Sequence, residues 1–239
     1  MPERLVIIPT YNERENIAEM LSHVLRIEPL FHVLVVDDGS PDGTAELVKD
    51  FHQRFPDRIH LLERSGKLGL GTAYIAGFKW AIERRYEHIF EMDADFSHDP
   101  DDLVRLYKAC SVPGVGMSVG SRYVKDGHVS NWSWNRVLMS YCASLYVRSV
   151  LWLGVNDTTA GFVCYRREVL EALPLDEIRF IGYAFQIEMK YRVKLQGFTI
   201  VEVPITFKDR EKGQSKMSMN IFHEAFLGVL KMRVNIRRK

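Results

Sequence analysis

The run Val33-Leu34-Val35-Val36-Asp37-Asp38-Gly39-Ser40-Pro41-Asp42-Gly43-Thr44 decides the fold. Four consecutive apolar residues read as a strand buried on both faces. They stop at a cluster of Asp, Gly, Ser and Pro, the residues that build turns, and a helical pattern follows over 45–55. Strand, turn and helix in that order make one unit of a parallel sheet. Toward the N-terminus, Leu5-Val6-Ile7-Ile8 reads as another buried strand, ended by Pro9 and followed by a helix over 14–26. Toward the C-terminus come a strand at Ile59-His60-Leu61-Leu62, a Gly-rich loop over 66–71, a helix over 73–84 and a strand over 88–92. This alternation predicts an α/β fold with a mostly parallel sheet and helices on both faces. Open α/β sheets bind ligands at the carboxyl ends of their strands. The polar clusters at 9–13, 37–43 and 93–99 all fall at such ends and are expected to converge on one crevice.

The third cluster carries the clearest chemistry. Glu91-Met92-Asp93-Ala94-Asp95 sets two carboxylates one residue apart at a strand mouth. Mg²⁺ and Mn²⁺ take oxygen ligands, usually one or two carboxylates completed by phosphate oxygens and water, so the pair suggests a metal-bound diphosphate. The alternative is an acidic surface turn, since five Asp lie between Asp93 and Asp102. A calcium loop is excluded, because its obligatory sixth-place Gly would be His98 and its closing Glu would be Val104.

The 239 residues suffice for one well-buried core, and one domain is expected, with halves over 1–125 and 126–239. A net charge of +1 argues against a general nucleic-acid binder. Cys110, Cys142 and Cys164 are too few and too scattered for a disulfide framework or a structural zinc site, which favours a reducing, cytoplasmic setting. A strand so near Met1 leaves no room for a signal peptide. The longest apolar stretch, over 141–155, carries Arg148 and is too short to span a bilayer.

The second half is less regular: a helix after Pro100, a strand over 116–120, an amphipathic helix over 136–151, then short segments to Val203. At the C-terminus Ile221, Phe222, Ala225, Phe226, Val229 and Leu230 share a helical face, and Lys231, Arg233, Arg237, Arg238 and Lys239 follow. A helix packed on its own core accounts for this pattern, and so does peripheral contact with an anionic membrane surface.

Two phosphate motifs are absent. Gly66-Lys67-Leu68-Gly69-Leu70-Gly71 lacks the last glycine of the dinucleotide fingerprint, whose place is Tyr74, and 39–44 lacks the Gly-Lys pair of a P-loop. In their place stand, in order, Pro9-Thr10-Tyr11-Asn12-Glu13, Val36-Asp37-Asp38-Gly39-Ser40, Asp93-Ala94-Asp95, Gly120-Ser121-Arg122-Tyr123, and Asp209-Arg210 with Gly213 and Ser215-Lys216. With this ordered set the chain resembles family 2 glycosyltransferases of the Rossmann-like GT-A fold, and within them the dolichyl- and polyprenyl-phosphate mannose synthases. The resemblance runs from about Leu5 to Met219.

The resemblance implies donor contacts from Pro9, Tyr11, Glu13, Val36, Asp38, Asp93, Ala94, Asp95, Arg122, Arg210 and Lys216. Tyr11 offers a stacking face, and Glu13 and Asp38 accept hydrogen bonds. Taken alone, Glu13 also suits a helix N-terminus, and Asp37 and Asp42 read as turn and capping residues. Asp93, Asp95 and Ser97 would hold Mg²⁺ or Mn²⁺; some relatives carry Gln in place of Ser97. Arg122 and Arg136 would grip the acceptor phosphate as forked donors; with Asp95 they form the expected catalytic set. Asp157 and Glu188 are candidates to face the sugar. Val163 stands where the synthases often carry Arg. A lipid phosphate is already an anion, so no general base is assigned.

The expectation is an inverting, metal-dependent transferase that moves mannose from GDP-mannose to a dolichyl or polyprenyl phosphate lipid. It would work peripherally at the cytosolic face of a membrane, with or without a separate membrane subunit. The rivals are a UDP-glucose or other UDP-sugar donor on the same fold, and a catalytically inactive nucleotide-binding scaffold.

Overall fold

A computed structural model describes residues 3–180, 182–209 and 220–236. In chain order the elements are β1 (Arg4–Thr10), α1 (Arg14–Val24), β2 (His32–Asp37), α2 (Thr44–Arg54), β3 (Ile59–Glu63), α3 (Leu70–Glu83), β4 (His88–Glu91), α4 (Asp102–Cys110), β5 (Val115–Ser121), β6 (His128–Ser130), α5 (Trp134–Leu151), β7 (Val163–Arg166), α6 (Arg167–Ala172), α7 (Tyr183–Leu195), β8 (Thr199–Pro204), β9 (Thr206–Lys208) and α8 (Asn220–Asn235). Seven strands form one sheet in the order β3-β2-β1-β4-β7-β5-β8, and β6 pairs with β9 in a separate parallel ribbon. All neighbours in the large sheet are parallel except β7, which runs antiparallel to both β4 and β5.

Strand alternation explains why β1 and β2 are continuously apolar. Leu5 and Ile7 point with Leu34 and Val36 into a core shared with Tyr74 and Phe78 of α3 and Phe185 and Met189 of α7. Val6 and Ile8 point with Val33 and Val35 to the opposite face, against Ile17, Met20 and Leu21 of α1 and Leu103 and Leu106 of α4. Neither face meets water, so no polar residue is tolerated in either run. A third apolar cluster joins Val147 and Leu151 of α5, Ile187 and Tyr191 of α7, and Val229 and Met232 of α8.

From β1 the chain steps outward through β2 to β3 and then returns to β4 on the other side of β1. That reversal opens a crevice beyond the carboxyl ends of β1 and β4, the position where open α/β sheets place ligands.

Three expectations are corrected. The helix expected over 73–84 begins at Leu70, inside the Gly-rich stretch. Position 71 is glycine because a Cβ would lie 2.8 Å from both the Phe180 carbonyl oxygen and the Phe185 ring, so the glycine serves close packing against α7 rather than a loop. The region read as short segments holds β7, α6, α7 and β8: two strands of the sheet and two helices packed on it. The apolar face drawn through Val229 and Leu230 is divided: Val229 is buried and Leu230 exposed. The side chains of Ile221, Phe222, Ala225 and Phe226, and residues Arg237, Arg238 and Lys239, lie outside the described residues. Among the described residues no helix is long and apolar enough to cross a membrane.

Candidate active site

The loops after β1 and β2 are stitched together by polar contacts. The Asn12 backbone N–H donates to Ser40 Oγ at 3.0 Å, Glu13 N–H to Thr44 Oγ1 at 3.1 Å and Arg14 N–H to Asp42 Oδ2 at 3.1 Å. Asp37 accepts from Thr10 Oγ1 at 2.8 Å, Ser40 N at 2.9 Å and Ser40 Oγ at 2.6 Å, which makes it a turn residue. Asp42 likewise closes its turn by accepting from Thr44 N and Oγ1. Glu13 is buried at the N-cap of α1, where Asn16 Nδ2 donates to its Oε2 at 3.0 Å. Pro9 and Tyr11 are half-buried at the mouth of β1, and the Lys67 ammonium stands 5.1 Å from the Tyr11 ring centroid. The Val36 side chain is committed to the core.

Asp38 is clasped by a residue that sequence reasoning overlooked. Arg64, just past β3, donates from Nε to Asp38 Oδ1 at 2.7 Å and from Nη1 to Thr72 Oγ1 at 2.9 Å, and the Leu68 N–H reaches Asp38 Oδ2 at 3.3 Å. Arg64 thereby ties the loop after β2 to the start of α3. Its position at a strand's carboxyl end was the available signal.

Beyond β4, Asp93 lines a cavity and Asp95 is buried. The Ser97 N–H and hydroxyl both donate to Asp95 Oδ1, at 3.0 and 2.6 Å, so Ser97 orients the carboxylate. Ala94 packs into the core between them. Two carboxylates and a hydroxyl would offer an all-oxygen donor set, the chemistry that suits Mg²⁺ or Mn²⁺. His23, Asp99 and Asp101 each bring one oxygen or nitrogen atom within 4.8 Å of the others, on half-buried to exposed side chains.

Arg122 follows β5 and enters a buried ion pair. Its Nε and Nη2 donate to Asp157 Oδ2 and Oδ1 at 2.7 and 2.6 Å, and its backbone N–H reaches Oδ2 at 3.0 Å. Nη2 also reaches Thr159 Oγ1 at 2.9 Å. The guanidinium carbon lies 5.2–5.5 Å from the ring centroids of Tyr123, Trp132 and Phe207. Burial opposes ionisation of Asp157, but the Arg122 charge and hydrogen bonds outweigh it and hold the carboxyl below its ordinary value. Arg136, in the first turn of α5, sits 3.9 Å from the centroid of the same Trp132 ring and pairs with Asp209 Oδ2 at 3.0 Å. One indole thus braces both arginines.

The cavity, about 520 Å³, brings Asp93, Arg122 and Arg136 together with His98, Thr159 and Gln186, and with apolar side chains of α5, α7 and α8 such as Tyr146, Ile187 and Val229. His98, Thr159 and Gln186 were not singled out from the sequence. Burial pushes the His98 imidazole down to about 4 despite the opposing pull of Asp95, so it is neutral at pH 7, stacked on Phe162 at 4.9 Å. Glu188 does not reach this cavity. It accepts from the Arg179 and Phe180 N–H groups at 3.2 and 3.3 Å and from Arg192 Nε at 2.8 Å, and it borders a different cleft. Asp157 acts on the site through Arg122. Arg210 and Lys216 lie outside the described residues.

Beneath the cavity lies a buried polar layer. Glu91 accepts from Tyr165 Oη at 2.9 Å and from Gln186 Nε2, while Lys190 Nζ donates to the Ala160 carbonyl at 2.6 Å. Burial raises the Glu91 carboxyl and lowers the Lys190 ammonium, and the attraction between them works against both shifts.

The family model for glycosyl transferase family 2 matches residues 5–173. The chain is 49% identical over 225 residues to the polyprenol monophosphomannose synthase of Mycolicibacterium smegmatis, covering 94% of this chain and 84% of that protein. It is 47% identical over 225 residues to the undecaprenyl-phosphate mannosyltransferase of Micrococcus luteus, covering 94% and 91%. Among solved structures, a mannosyltransferase from Pyrobaculum calidifontis in complex with GDP-Man and Mn²⁺ superimposes with a TM-score of 0.63 at 20% identity, over 100% of this chain and 65% of that one. The architecture is the GT-A fold, and with a family match over most of its length the chain is a glycosyltransferase that belongs to glycosyl transferase family 2.

Proposed function

We propose that this enzyme transfers mannose from GDP-mannose to a polyprenyl or dolichyl monophosphate, with inversion at the anomeric carbon. The observation that carries the reading is the cavity uniting Asp93, behind which Asp95 is held by Ser97, with the indole-braced pair Arg122 and Arg136. The names of the relatives, at 49% and 47% identity, supply the lipid phosphate acceptor and the mannosyl group.

In this mechanism the loops after β1 and β2 hold the nucleoside through Pro9, Tyr11, Glu13, the Val36 backbone and Asp38. Asp93 and Asp95, the latter oriented by Ser97, would hold Mg²⁺ or Mn²⁺, whose positive charge would stabilise the departing diphosphate. Arg210 and Lys216 complete the donor's phosphate contacts. Arg122 and Arg136 position the acceptor phosphate. An oxygen of that phosphate attacks C1 of mannose, the bond from C1 to the β-phosphate oxygen breaks, and GDP leaves with the electron pair. No proton is removed from the nucleophile, so no general base is required. Residues 1–125 serve chiefly the donor and 126–239 the acceptor.

Access to the lipid comes from α5. Trp134, Leu138, Tyr141 and Leu145 recur at helical spacing and are exposed, with Trp134 at 73%. Met139, Cys142 and Tyr146 of the same helix line the cavity. Leu230 and Val234 of α8 are exposed as well, beside Lys231 and Arg233. An apolar helix face without acidic residues, flanked by cations, suits peripheral contact with an anionic bilayer at its cytosolic face.

The test is transfer by purified enzyme given Mg²⁺ or Mn²⁺, a polyprenyl phosphate and radiolabelled GDP-mannose, UDP-glucose or UDP-GlcNAc in parallel. Label from GDP-mannose alone is expected in the organic extract. Extraction of label from a UDP-sugar instead would transfer the reading to that donor, and absence of label from every donor would favour an inactive scaffold.

A further inference from the structure

Gln186 lies in the first turn of α7 and is 3% exposed, yet it lines the cavity that holds Asp93 and Arg122. Its amide cannot turn freely. Nε2 donates to Glu91 Oε2, and Glu91 is itself anchored by the Tyr165 hydroxyl at 2.9 Å. One turn later, Lys190 Nζ donates to the Gln186 backbone carbonyl at 3.3 Å and to the Ala160 carbonyl at 2.6 Å, so a buried cation accompanies the buried carboxylate. With Nε2 committed to Glu91, the amide oxygen faces away from that carboxyl. That oxygen, Gln186 Oε1, is buried and has no hydrogen-bond partner among the described residues.

Buried polar atoms are paired in folded proteins, and one left without a partner costs stability unless a ligand completes it. The partner must be a donor. Phosphate oxygens are acceptors and would be repelled by a carbonyl oxygen, whereas a hexose presents several O–H groups. The main chain beside the amide leaves room for it: a Cβ at Gly161, another cavity residue, would meet nothing within 4 Å except Gln186 itself, with Nε2 at 3.6 Å.

We propose that Gln186 Oε1 accepts a hydrogen bond from a hydroxyl of the transferred hexose, so that Gln186 reads the sugar while Glu91, Tyr165 and Lys190 hold it in position. The proposal rests on the mannosyl-transfer reading above and adds the residue that recognises the sugar.

The experiment measures kcat/KM for the full-length enzyme with GDP-mannose and with its 2-, 3-, 4- and 6-deoxy analogues, in wild type, Gln186→Met and Gly161→Ala. Wild type is expected to lose about tenfold on the analogue that lacks the contacted hydroxyl, the scale of one hydrogen bond. Gln186→Met should use GDP-mannose about tenfold less well and show no further loss on that same analogue, with its discrimination among the others and its calorimetric affinity for GDP unchanged. If Gln186→Met binds GDP normally but keeps the wild-type discrimination at every hydroxyl, Gln186 does not touch the sugar and the proposal fails. Gly161→Ala decides the matter should the methionine variant not fold. Its methyl sits over the amide at ordinary contact distance, so discrimination at the one hydroxyl should collapse, and full retention there overturns the proposal. Wild-type enzyme that makes no mannosyl lipid would overturn the parent reading as well, which separates the two failures.

Discussion

Replacing Asp157 by Asn isolates the buried pair on which Arg122 depends. Asp157 is fully buried and the Arg122 side chain is 8% exposed, and three of their contacts are 3.0 Å or shorter. Asn retains one acceptor oxygen but sets an amide N–H against the guanidinium, leaving a buried cation without its counter-charge. Breaking a buried pair on one side costs about 3–5 kcal/mol, mostly from the charge left behind. The loop itself should stay in place, because Glu202 separately accepts from Asn156 N at 2.8 Å and Asp157 N at 3.0 Å. At about 2–4 °C per kcal/mol for a chain of this size, the thermal transition should fall by roughly 6–20 °C. The sign with pH follows from the depressed carboxyl. Its contribution is complete above the unfolded aspartate value of 3.8 and is lost as pH falls through the lower folded value. Calorimetry should therefore show a constant deficit from pH 5 to 8 that narrows below about pH 4. Arg122→Met/Asp157→Leu should recover part of the loss suffered by either single variant, since neither charge is then stranded. Strict additivity in that cycle, or Asp157→Asn melting with wild type at pH 7, would refute the reasoning.

Asp95→Ala should abolish transfer while leaving the protein folded, since losing an electrostatic group of this kind costs at least a few kcal/mol of transition-state stabilisation; near-native turnover in EDTA would remove the metal from the account. Arg136→Ala should raise the polyprenyl phosphate concentration needed for half-maximal rate and leave GDP affinity unchanged, and the opposite pattern by calorimetric titration would assign Arg136 to the donor. Leu138→Glu with Leu145→Glu, on exposed positions of α5, should weaken co-sedimentation with anionic liposomes and slow transfer to long-chain acceptors without altering GDP binding; unchanged sedimentation would move the membrane contact elsewhere.

How far the fold could be read depended on how completely each element is covered. β1 and β2 are buried on both faces, so their apolar runs were unmistakable, and the polar clusters after β1, β2 and β4 marked the crevice by position alone. β7 was missed because Val163–Arg166 is four residues long and its antiparallel direction leaves no trace in periodicity. α7 was missed for a different reason. It carries Gln186, Glu188 and Lys190 as buried polar residues, which erase the apolar stripe by which a helix is recognised. At the site, Asp93, Asp95, Arg122 and Arg136 were legible as residue types in a resembling order. The pairings Arg64 with Asp38 and Arg122 with Asp157 were not, because 26 and 35 residues separate the partners and only the closed sheet brings them together.

The central claim is that an oxygen of the lipid phosphate displaces GDP from the sugar. Polyprenyl phosphate carrying ¹⁸O in its phosphate oxygens, incubated with the enzyme, Mn²⁺ and unlabelled GDP-mannose, tests it by mass spectrometry of both products. The account predicts a lipid monophosphate mannose that retains all the label, including the oxygen joined to C1, together with unlabelled GDP. Release of GMP with a lipid diphosphate sugar, or an ¹⁶O bridge to C1, would contradict it.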